Sequence, residues 1–342
     1  MSSSITYDSF RKIKLIRYLV VWRVNGAYVS LPENFSVELS HVLGGIIAGR
    51  LSSRDAARWR KALAPLDSYL DREKGAAVPK VFPDVAWPIE AVIFVYPGKS
   101  TYGQGELLFW ELKLFGDAAD HGFFLETILP AMEEAGFTSE VGIKRHTRIW
   151  GRFDIHAVFV ARGAVWEPVV SEGRLDLRCQ VSASQWAEGL TFGSDLQQRF
   201  SQLIWLTPFE LEGASAASTT AAVDGSQDSA ECSSVPVMRC IFDGLASRLR
   251  VWARGKRKSA LDPRDFFDED GDFLFLKPFP KAVQTPLILK DLEAAPPSCP
   301  GLWTGKYVFS PIPRGIIPCL ELASIIHIGR YTHFGCGTFY LA

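Results

Sequence analysis

Residues 327–342, HIGRYTHFGCGTFYLA, contain three glycines, two histidines and an arginine between an apolar run and a short aromatic segment. Gly329, Gly335 and Gly337 permit positive φ angles and let another group approach the backbone closely. N–H groups that such a turn leaves exposed hold phosphate oxygens, and Arg330 would add positive charge. Hairpins and bulges also use glycine for geometry alone, so the surrounding sequence has to decide the role of this segment. We call residues 327–337 the C-terminal turn.

The sequence before the C-terminal turn adds a glycine–leucine start to a strand and then an apolar run. This order resembles the closing segment of the Cas6 family, the CRISPR-associated endoribonucleases of the RAMP superfamily that trim precursor guide RNA. In that family the closing segment has the pattern l-H-h-G-b-x-T-x-F-G-x-G, where l and h are apolar and b is basic. The matching residues here are Gly301, Leu302, Gly305, His327, Gly329, Arg330, Thr332, Phe334, Gly335 and Gly337.

Three further segments extend the resemblance from about residue 90 onward. LIWLTPFELEG from Leu203 is similar to the family's strand with a T-P pair. VMRCIFDGLASRLRVWAR from Val237 resembles the Arg-bearing helix that follows it. GELLFWELKLFGDAADHGFFLETILPAMEEAGF from Gly105 resembles a strand, a glycine and a helix of the first half.

The composition limits the classes of protein to which this chain can belong. The 342 residues suggest two domains, and the 47% apolar content supports well-formed cores. The net charge of −1 excludes a general polycation, so any RNA site must be a local basic patch. The six cysteines form no CxxC pair and no apolar leader is visible, which predicts a reducing cytoplasmic location. No apolar run is long enough to predict a membrane span.

The element order predicts an α+β fold of two tandem ferredoxin-like (RRM-like) domains, closed by the glycine-rich loop. Strand, helix, strand, strand, helix, strand is expected over residues 1–190, with a helical insertion near residue 60 that Pro65 breaks. Residues 191–342 are expected to repeat this order. Residues 213–234 lack aromatic side chains and are predicted to form a mobile loop, with a domain linker as the alternative.

The densest basic cluster is RLRVWARGKRK, with six Lys or Arg in eleven residues. A charged helix end on the surface explains such a run equally well, because cations are favoured near a helix C-terminus. We predict that the cluster holds the RNA backbone. Its cations are Arg248, Arg250, Arg254, Lys256, Arg257 and Lys258.

Histidine suits both proton transfers of RNA cleavage, and His41 is the first candidate. On a helical wheel it lies opposite the apolar stripe and shares its face with Gly44, Gly45 and Ala48, whose small size would leave room for a substrate. The resemblance implies a histidine in or near the first helical region; an ordinary exposed histidine is the alternative. His333, in the C-terminal turn, is the second candidate. His327 is predicted to be buried and structural.

Metal and cofactor sites find little support. DPRDFFDEDGDF lacks a glutamate at the twelfth position of a calcium loop. His327, His333 and Cys336 are zinc-ligand types, but their spacing matches no known ligand pattern. No GxSxG, GxxxxGK[ST] or HExxH motif is present, so neither a metal nor a cofactor is predicted.

The resemblance implies a metal-independent endoribonuclease that cleaves CRISPR repeat RNA in precursor crRNA and leaves a 2′,3′-cyclic phosphate and a 5′-OH. Repeat RNA is then the expected partner, together with other CRISPR effector subunits. A non-catalytic crRNA-binding subunit of an effector complex would have the same fold. A ferredoxin-like protein with no RNA ligand is a third alternative.

Overall fold

The computed structural model describes residues 9–72, 82–83, 85–137, 151–188, 199–212, 236–253 and 261–342. The first half of the chain contains eight strands and four α-helices in these ranges. They are β1 (Leu15–Val24), β2 (Tyr28–Ser30), α1 (Phe35–Arg50), α2 (Ser53–Arg72), β3 (Ala91–Val95), β4 (Thr101–Gly103), β5 (Leu107–Phe115), α3 (His121–Phe123), α4 (Leu129–Phe137), β6 (Phe153–Arg162), β7 (Val165–Ser171) and β8 (Arg174–Leu175). A π-helical turn, Phe124–Ile128, joins α3 to α4.

The main sheet of the first half is antiparallel, with strand order β3-β5-β1-β6-β7-β8. Its first four strands have the order of a βαββαβ ferredoxin-like unit, because each helical crossover skips one strand. Alternate residues of β1, such as Tyr18, Val20 and Trp22, are buried with α1 and α4 on one face. That alternation explains why LIRYLVVWRV forms a central strand.

Helix α2 differs from the sequence prediction. It runs without interruption from Ser53 to Arg72, although Pro65 lies inside it. A proline there removes one backbone hydrogen bond and typically costs about 3 kcal/mol. Burial on both sides of the proline offsets this cost, since Trp59, Leu63, Leu66 and Tyr69 form a buried stripe at helical spacing. The prediction that Pro65 breaks the helix is therefore wrong.

The second half of the chain contains four strands and two helices among the described residues. They are β9 (Gln202–Phe209), α5 (Val237–Ala253), β10 (Leu287–Ala294), β11 (Trp303–Phe309), α6 (Ile317–Ile326) and β12 (Phe339–Leu341). Their antiparallel sheet has the order β10-β11-β9-β12, which is again that of a βαββαβ unit. The predicted α+β class with antiparallel ferredoxin-like sheets is confirmed.

The two halves share part of a hydrophobic core. Val92 and Phe94 of β3 and Phe115 of β5 pack with the buried side chains of α5, α6 and β9. One face of the first sheet therefore packs on its own helices, and part of the other face packs on the second half. This arrangement places the C-terminal turn between the halves.

The predicted division of the chain at residue 190 stays a prediction, because residues 189–198 lie outside the described residues. The predicted loop at 213–234 also lies outside them. Within the described ranges, no helix combines the length and the apolar character that a bilayer crossing requires. The five cysteines in those ranges are free thiols.

Candidate active site

The glycines of the C-terminal turn allow close contact with other backbone segments. A Cβ atom on Gly337, whose φ is 79°, would lie 1.8 Å from the carbonyl oxygen of Ile328. On Gly335, with φ also 79°, it would lie 2.6 Å from the carbonyl oxygen of Ile93. On Gly329 it would lie 2.3 Å from that of Glu210. Side chains are therefore excluded by the protein itself at all three positions.

Several N–H groups of the C-terminal turn are paired inside the fold. Gly335 donates to the carbonyl of Thr332 at 2.9 Å, and Gly337 donates to that of Pro208 at 3.0 Å. Both glycines are buried, whereas Gly329 is exposed. The expectation that these two glycines keep bare amides for phosphate differs from the structure, because backbone carbonyls already accept from them. RNA contact by Gly335 and Gly337 stays a prediction.

His327 is fully buried and hydrogen-bonded, as the sequence predicts. Its Nδ1 lies 3.1 Å from the carbonyl oxygens of Gly335 and Cys336, so Nδ1 carries the proton. Nε2 then accepts from Nζ of Lys113, 2.9 Å away, and Lys113 also donates to the carbonyl of Ile325 at 2.7 Å. Burial lowers the pKa of His327 well below its usual value and that of Lys113 to about 7. This pair joins β5 to the C-terminal turn.

His333 is only 5% exposed, and both ring nitrogens have partners. Nδ1 donates to the carbonyl of Ala91 at 2.9 Å, which leaves Nε2 to accept from the Ser40 hydroxyl at 2.8 Å. Burial lowers the pKa of His333 to about 4, so the ring is neutral at pH 7. A proton-transfer role for His333 stays a prediction, and these contacts instead fix the C-terminal turn on β3 and α1.

His41 lies on α1 directly after Ser40, so the contact between Ser40 and His333 brings the two predicted catalytic histidines to one part of the helix. The Nε2 atom of His41 lies 2.6 Å from Oδ1 of Asp67 on α2. Asp67 therefore accepts the Nε2 proton, and the lone pair of neutral His41 resides on Nδ1. Nδ1 is buried and has no hydrogen-bond partner among the described residues.

The space predicted around His41 is filled by protein beside Gly44 and stays open beside Gly45. The His41 side chain is 11% exposed, because α2 lies over this face of α1. A Cβ atom on Gly44 would lie 2.9 Å from Nε1 of Trp87 and 3.0 Å from Cδ1 of Leu63. The expected room for a substrate beside Gly44 is therefore absent, since the small residue admits the indole and leucine side chains. A Cβ atom on Gly45 would meet nothing within 4 Å.

The described part of the basic cluster is held by the protein. The Nη1 atom of Arg248 lies 3.4 Å from Oε2 of Glu90, and its guanidinium stacks over Trp252 at 5.0 Å from the ring centroid. Arg250 donates from Nη2 to the carbonyl of Gly271 at 2.7 Å. Both arginines are thus engaged with other groups of the protein, and their RNA role stays a prediction. The other four predicted cations, Arg254, Lys256, Arg257 and Lys258, lie outside the described residues.

Arg330 is the exposed cation of the C-terminal turn. Its Nη1 atom lies 2.7 Å from Oε1 of Glu210, and its side chain is 42% exposed. Its N–H donates to the carbonyl of Glu210 at 3.0 Å. An exposed ion pair of this kind is weak and exchangeable, so Arg330 remains accessible to a phosphate.

Sequence reasoning missed Asp67, Ser40 and Lys113. Each acts on a histidine that is distant along the chain, so no local spacing marks it. The only available signal was the position of Asp67 in the helical insertion near residue 60, which was predicted as decoration. The hydrogen-bond partners of these histidines therefore come from other helices and strands of the fold.

The fold matches known structures. One chain of a partial Cas6-RT-Cas1–Cas2 complex matches with a TM-score of 0.50 and 14% identity over 96% of this chain and 46% of that chain. A chain of a Cas6-RT-Cas1–Cas2 complex gives the same score and identity over 96% of this chain and 29% of that chain. The protein has a Cas6-like fold. This Cas6-like chain spans less than half the length of both.

A Cas6 product complex also matches the Cas6-like chain, with a TM-score of 0.40 and 13% identity over 96% of this chain and 100% of that chain. No protein-family model matches the sequence. No curated protein matches it either. The likeness therefore lies in the fold.

Proposed function

We propose that the protein is a metal-independent endoribonuclease that cleaves CRISPR repeat RNA within precursor crRNA. The observation that carries the proposal is the hydrogen bond of 2.8 Å between Ser40 and His333. It joins the C-terminal turn, whose sequence resembles that of the Cas6 family, to the helix that carries His41. The Cas6-like fold supports the same conclusion.

The proposed reaction is a transesterification. The 2′-OH loses its proton to a base and attacks the adjacent phosphorus, while the bond to the 5′-oxygen breaks and that oxygen gains a proton. The products are a 2′,3′-cyclic phosphate and a 5′-OH, so no water is consumed in this step. His41 is the proposed proton-transfer residue, and Asp67 is a positioning residue that orients its ring.

The proposed proton transfer takes place at Nδ1 of His41, because Asp67 already occupies Nε2. Nδ1 is buried in this structure. RNA binding must therefore expose Nδ1 locally while Asp67 keeps its contact with Nε2, and substrate-induced opening is common in enzymes. Arg330 and the predicted basic cluster would hold the RNA backbone, with Arg330 the exposed member among the described residues.

The first test is cleavage of the host's repeat RNA in EDTA, with both product ends mapped. We expect the wild type to leave a cyclic phosphate, and His41→Ala to cut about 10²- to 10⁴-fold more slowly while binding repeat RNA normally. His156→Ala, on strand β6, is the matched control and should cut at the wild-type rate. A requirement for a divalent ion would contradict the proposed mechanism.

A binding measurement separates the enzyme from a structural subunit of the same fold. Wild-type protein that binds repeat RNA tightly and never cuts it would make the non-catalytic crRNA-binding role correct. Protein that neither binds nor cuts repeat RNA would contradict both. The proposed partners are precursor crRNA and other CRISPR effector subunits. Purification of the tagged protein from its own host tests whether such subunits bind to it.

A further inference from the structure

A cleft of about 320 Å³ lies at the beginning of α1. Its walls come from both halves of the chain: Asn34 and Ser36 at the start of α1, Tyr96 and Lys99 after β3, and Thr207 and Phe334 from β9 and the C-terminal turn. Tyr96 and Lys99 are exposed, so the cleft opens to solvent on that side. Its volume lies at the lower end of the range for small-ligand sites.

Hydrogen-bond donors at this end of α1 have no acceptor. Asn34 is the N-cap residue, but its side chain makes no capping bond. It is only 5% exposed, and its Nδ2 atom has no partner among the described residues. A buried donor without a partner is uncommon, and rotation of this side chain toward the cleft that Asn34 lines would let a ligand accept from it.

The first backbone N–H groups of α1 are further donors at this end of the helix. Those of Val37 and Glu38 bond to the carbonyl of Asn34 at 2.9 and 3.2 Å. The N–H groups of Phe35 and Ser36 belong to the first four of the helix, which have no intrahelical acceptor. Together with Asn34 Nδ2 they present three donors at the positive end of a helix of 16 residues. Such a set of donors favours an anion, above all phosphate.

The charged side chains at the rim are one paired cation and one carboxylate. The Lys99 ammonium is paired with the carboxylate of Glu106. Glu33 accepts a hydrogen bond from the neutral Ser298 hydroxyl and keeps its charge. Glu33 at the rim and Glu38 in the first turn of α1 would oppose an anion here, so removal of Glu33 gives a test with the opposite sign.

The cleft and His41 share one face of α1. Asn34 and His41 are seven residues apart, which is almost two full turns, so they project to the same side about 10 Å apart along the axis. A nucleotide anchored at the first turn would therefore lie on the side of α1 that carries the proposed proton-transfer residue. Tyr96, 37% exposed at the rim, supplies an aromatic face for a base.

We propose that this cleft binds one nucleotide of an RNA strand, with a phosphate at Asn34 and the first turn of α1 and the base against Tyr96. The assignment of the ligand to RNA rests on the proposed function. The donors, the cleft and the aromatic ring do not depend on it. Mononucleotide binding is measured without cleavage, so the two proposals can fail separately.

The test is calorimetric titration of the full chain in EDTA with adenosine 3′-monophosphate, adenosine and inorganic phosphate. We expect the monophosphate to bind, phosphate to bind more weakly, and adenosine to bind weakest. Asn34→Asp should weaken the monophosphate at least tenfold, because a charged hydrogen bond becomes a repulsion. Aspartate is also favoured at the start of a helix, so the variant should stay folded, which circular dichroism checks.

Two further variants sharpen the result. Glu33→Gln should raise the affinity for the monophosphate a few-fold, since it removes the opposing carboxylate. Tyr96→Ala should lower the affinity for the monophosphate but leave that for inorganic phosphate unchanged. Competition with repeat RNA should displace the bound monophosphate. The proposal is overturned by wild type that binds no monophosphate at millimolar concentration, by an Asn34→Asp variant with wild-type affinity, or by repeat RNA that leaves the mononucleotide in place.

Discussion

The C-terminal turn and the first turn of α1 both carry backbone donors, yet the fold uses them in opposite ways. In the C-terminal turn, Gly335 and Gly337 donate to carbonyls of the chain and press against neighbouring backbone. At the start of α1, the Asn34 side chain keeps an unpartnered donor at the wall of a cleft. A glycine-rich motif thus builds a rigid contact here, and the unpaired donors lie elsewhere.

The largest expected effect comes from disrupting the rigid contact of the C-terminal turn. Gly337→Ala would place a Cβ atom 1.8 Å from the carbonyl oxygen of Ile328 at a φ of 79°. The left-handed backbone costs about 1–2 kcal/mol and the collision a similar amount or more, so we expect a loss of about 3 kcal/mol of unfolding free energy. Urea unfolding followed by circular dichroism measures it.

The matched control for that substitution is Gly49→Ala, which has open space around the added Cβ and lies in α1. Alanine favours the helix, so this variant should gain about 0.5–1 kcal/mol. Equal stabilities of the two variants would mean that Gly337 does not pack on Ile328 in solution.

The second effect concerns the pH dependence of the contact between the C-terminal turn and α1. The pKa of His333 is about 4 in the fold and rises to its usual 6.5 on unfolding, so the unfolded chain binds the extra proton. Stability is therefore fully present above about pH 6.5 and falls as the pH decreases toward 4. Between pH 7 and pH 5 this histidine should account for about 2 kcal/mol of the loss.

Urea unfolding at the two pH values, on wild type and His333→Gln, isolates this contribution. The glutamine variant should lose about 2 kcal/mol less than the wild type over the same interval. An equal loss in both proteins would show that the ring is accessible to protons in the folded state and not buried against Ala91 and Ser40.

The third effect tests whether α2 takes part in the proposed chemistry. Asp67→Asn keeps the shape of the side chain but removes the charge that orients His41. If His41 transfers the proton, cleavage of repeat RNA should slow by about tenfold in kcat with KM unchanged, or about 1.4 kcal/mol of activation free energy. Repeat-RNA affinity should stay the same. An unchanged kcat would leave Asp67 with a structural role only.

The smallest expected effect concerns the exposed cation of the C-terminal turn. Arg330→Ala breaks an exposed pair with Glu210 and should change stability by less than about 1 kcal/mol. If Arg330 contacts phosphate, repeat-RNA affinity should fall a few-fold, and the slope of log affinity against log salt should decrease by about one. A mutant with the wild-type salt slope would place the RNA away from this arginine.

Sequence patterns predicted the elements well and the neighbours of the histidines poorly. The strand at β1 and the helix α1 follow from periodicity that local burial reproduces. The continuity of α2 through Pro65 does not follow from local sequence, because burial of the apolar stripe on both sides of the proline outweighs its tendency to break a helix. The space expected beside Gly44 was likewise misjudged, since Trp87 and Leu63 come from other segments to fill it.

The sequence by itself determined the α+β class, the βαββαβ order of the first half and the position of the C-terminal turn, because these depend on hydrophobic period and on glycine along one stretch of chain; the same order in the second half was an expectation that rested partly on the family resemblance. Only the tertiary structure decided that His333 bonds to Ser40, that Asp67 holds His41, and that Asn34 is left without a partner. The physical reason is that a hydrogen-bond partner is fixed by distance in space, and these pairs are 26 to 293 residues apart along the chain.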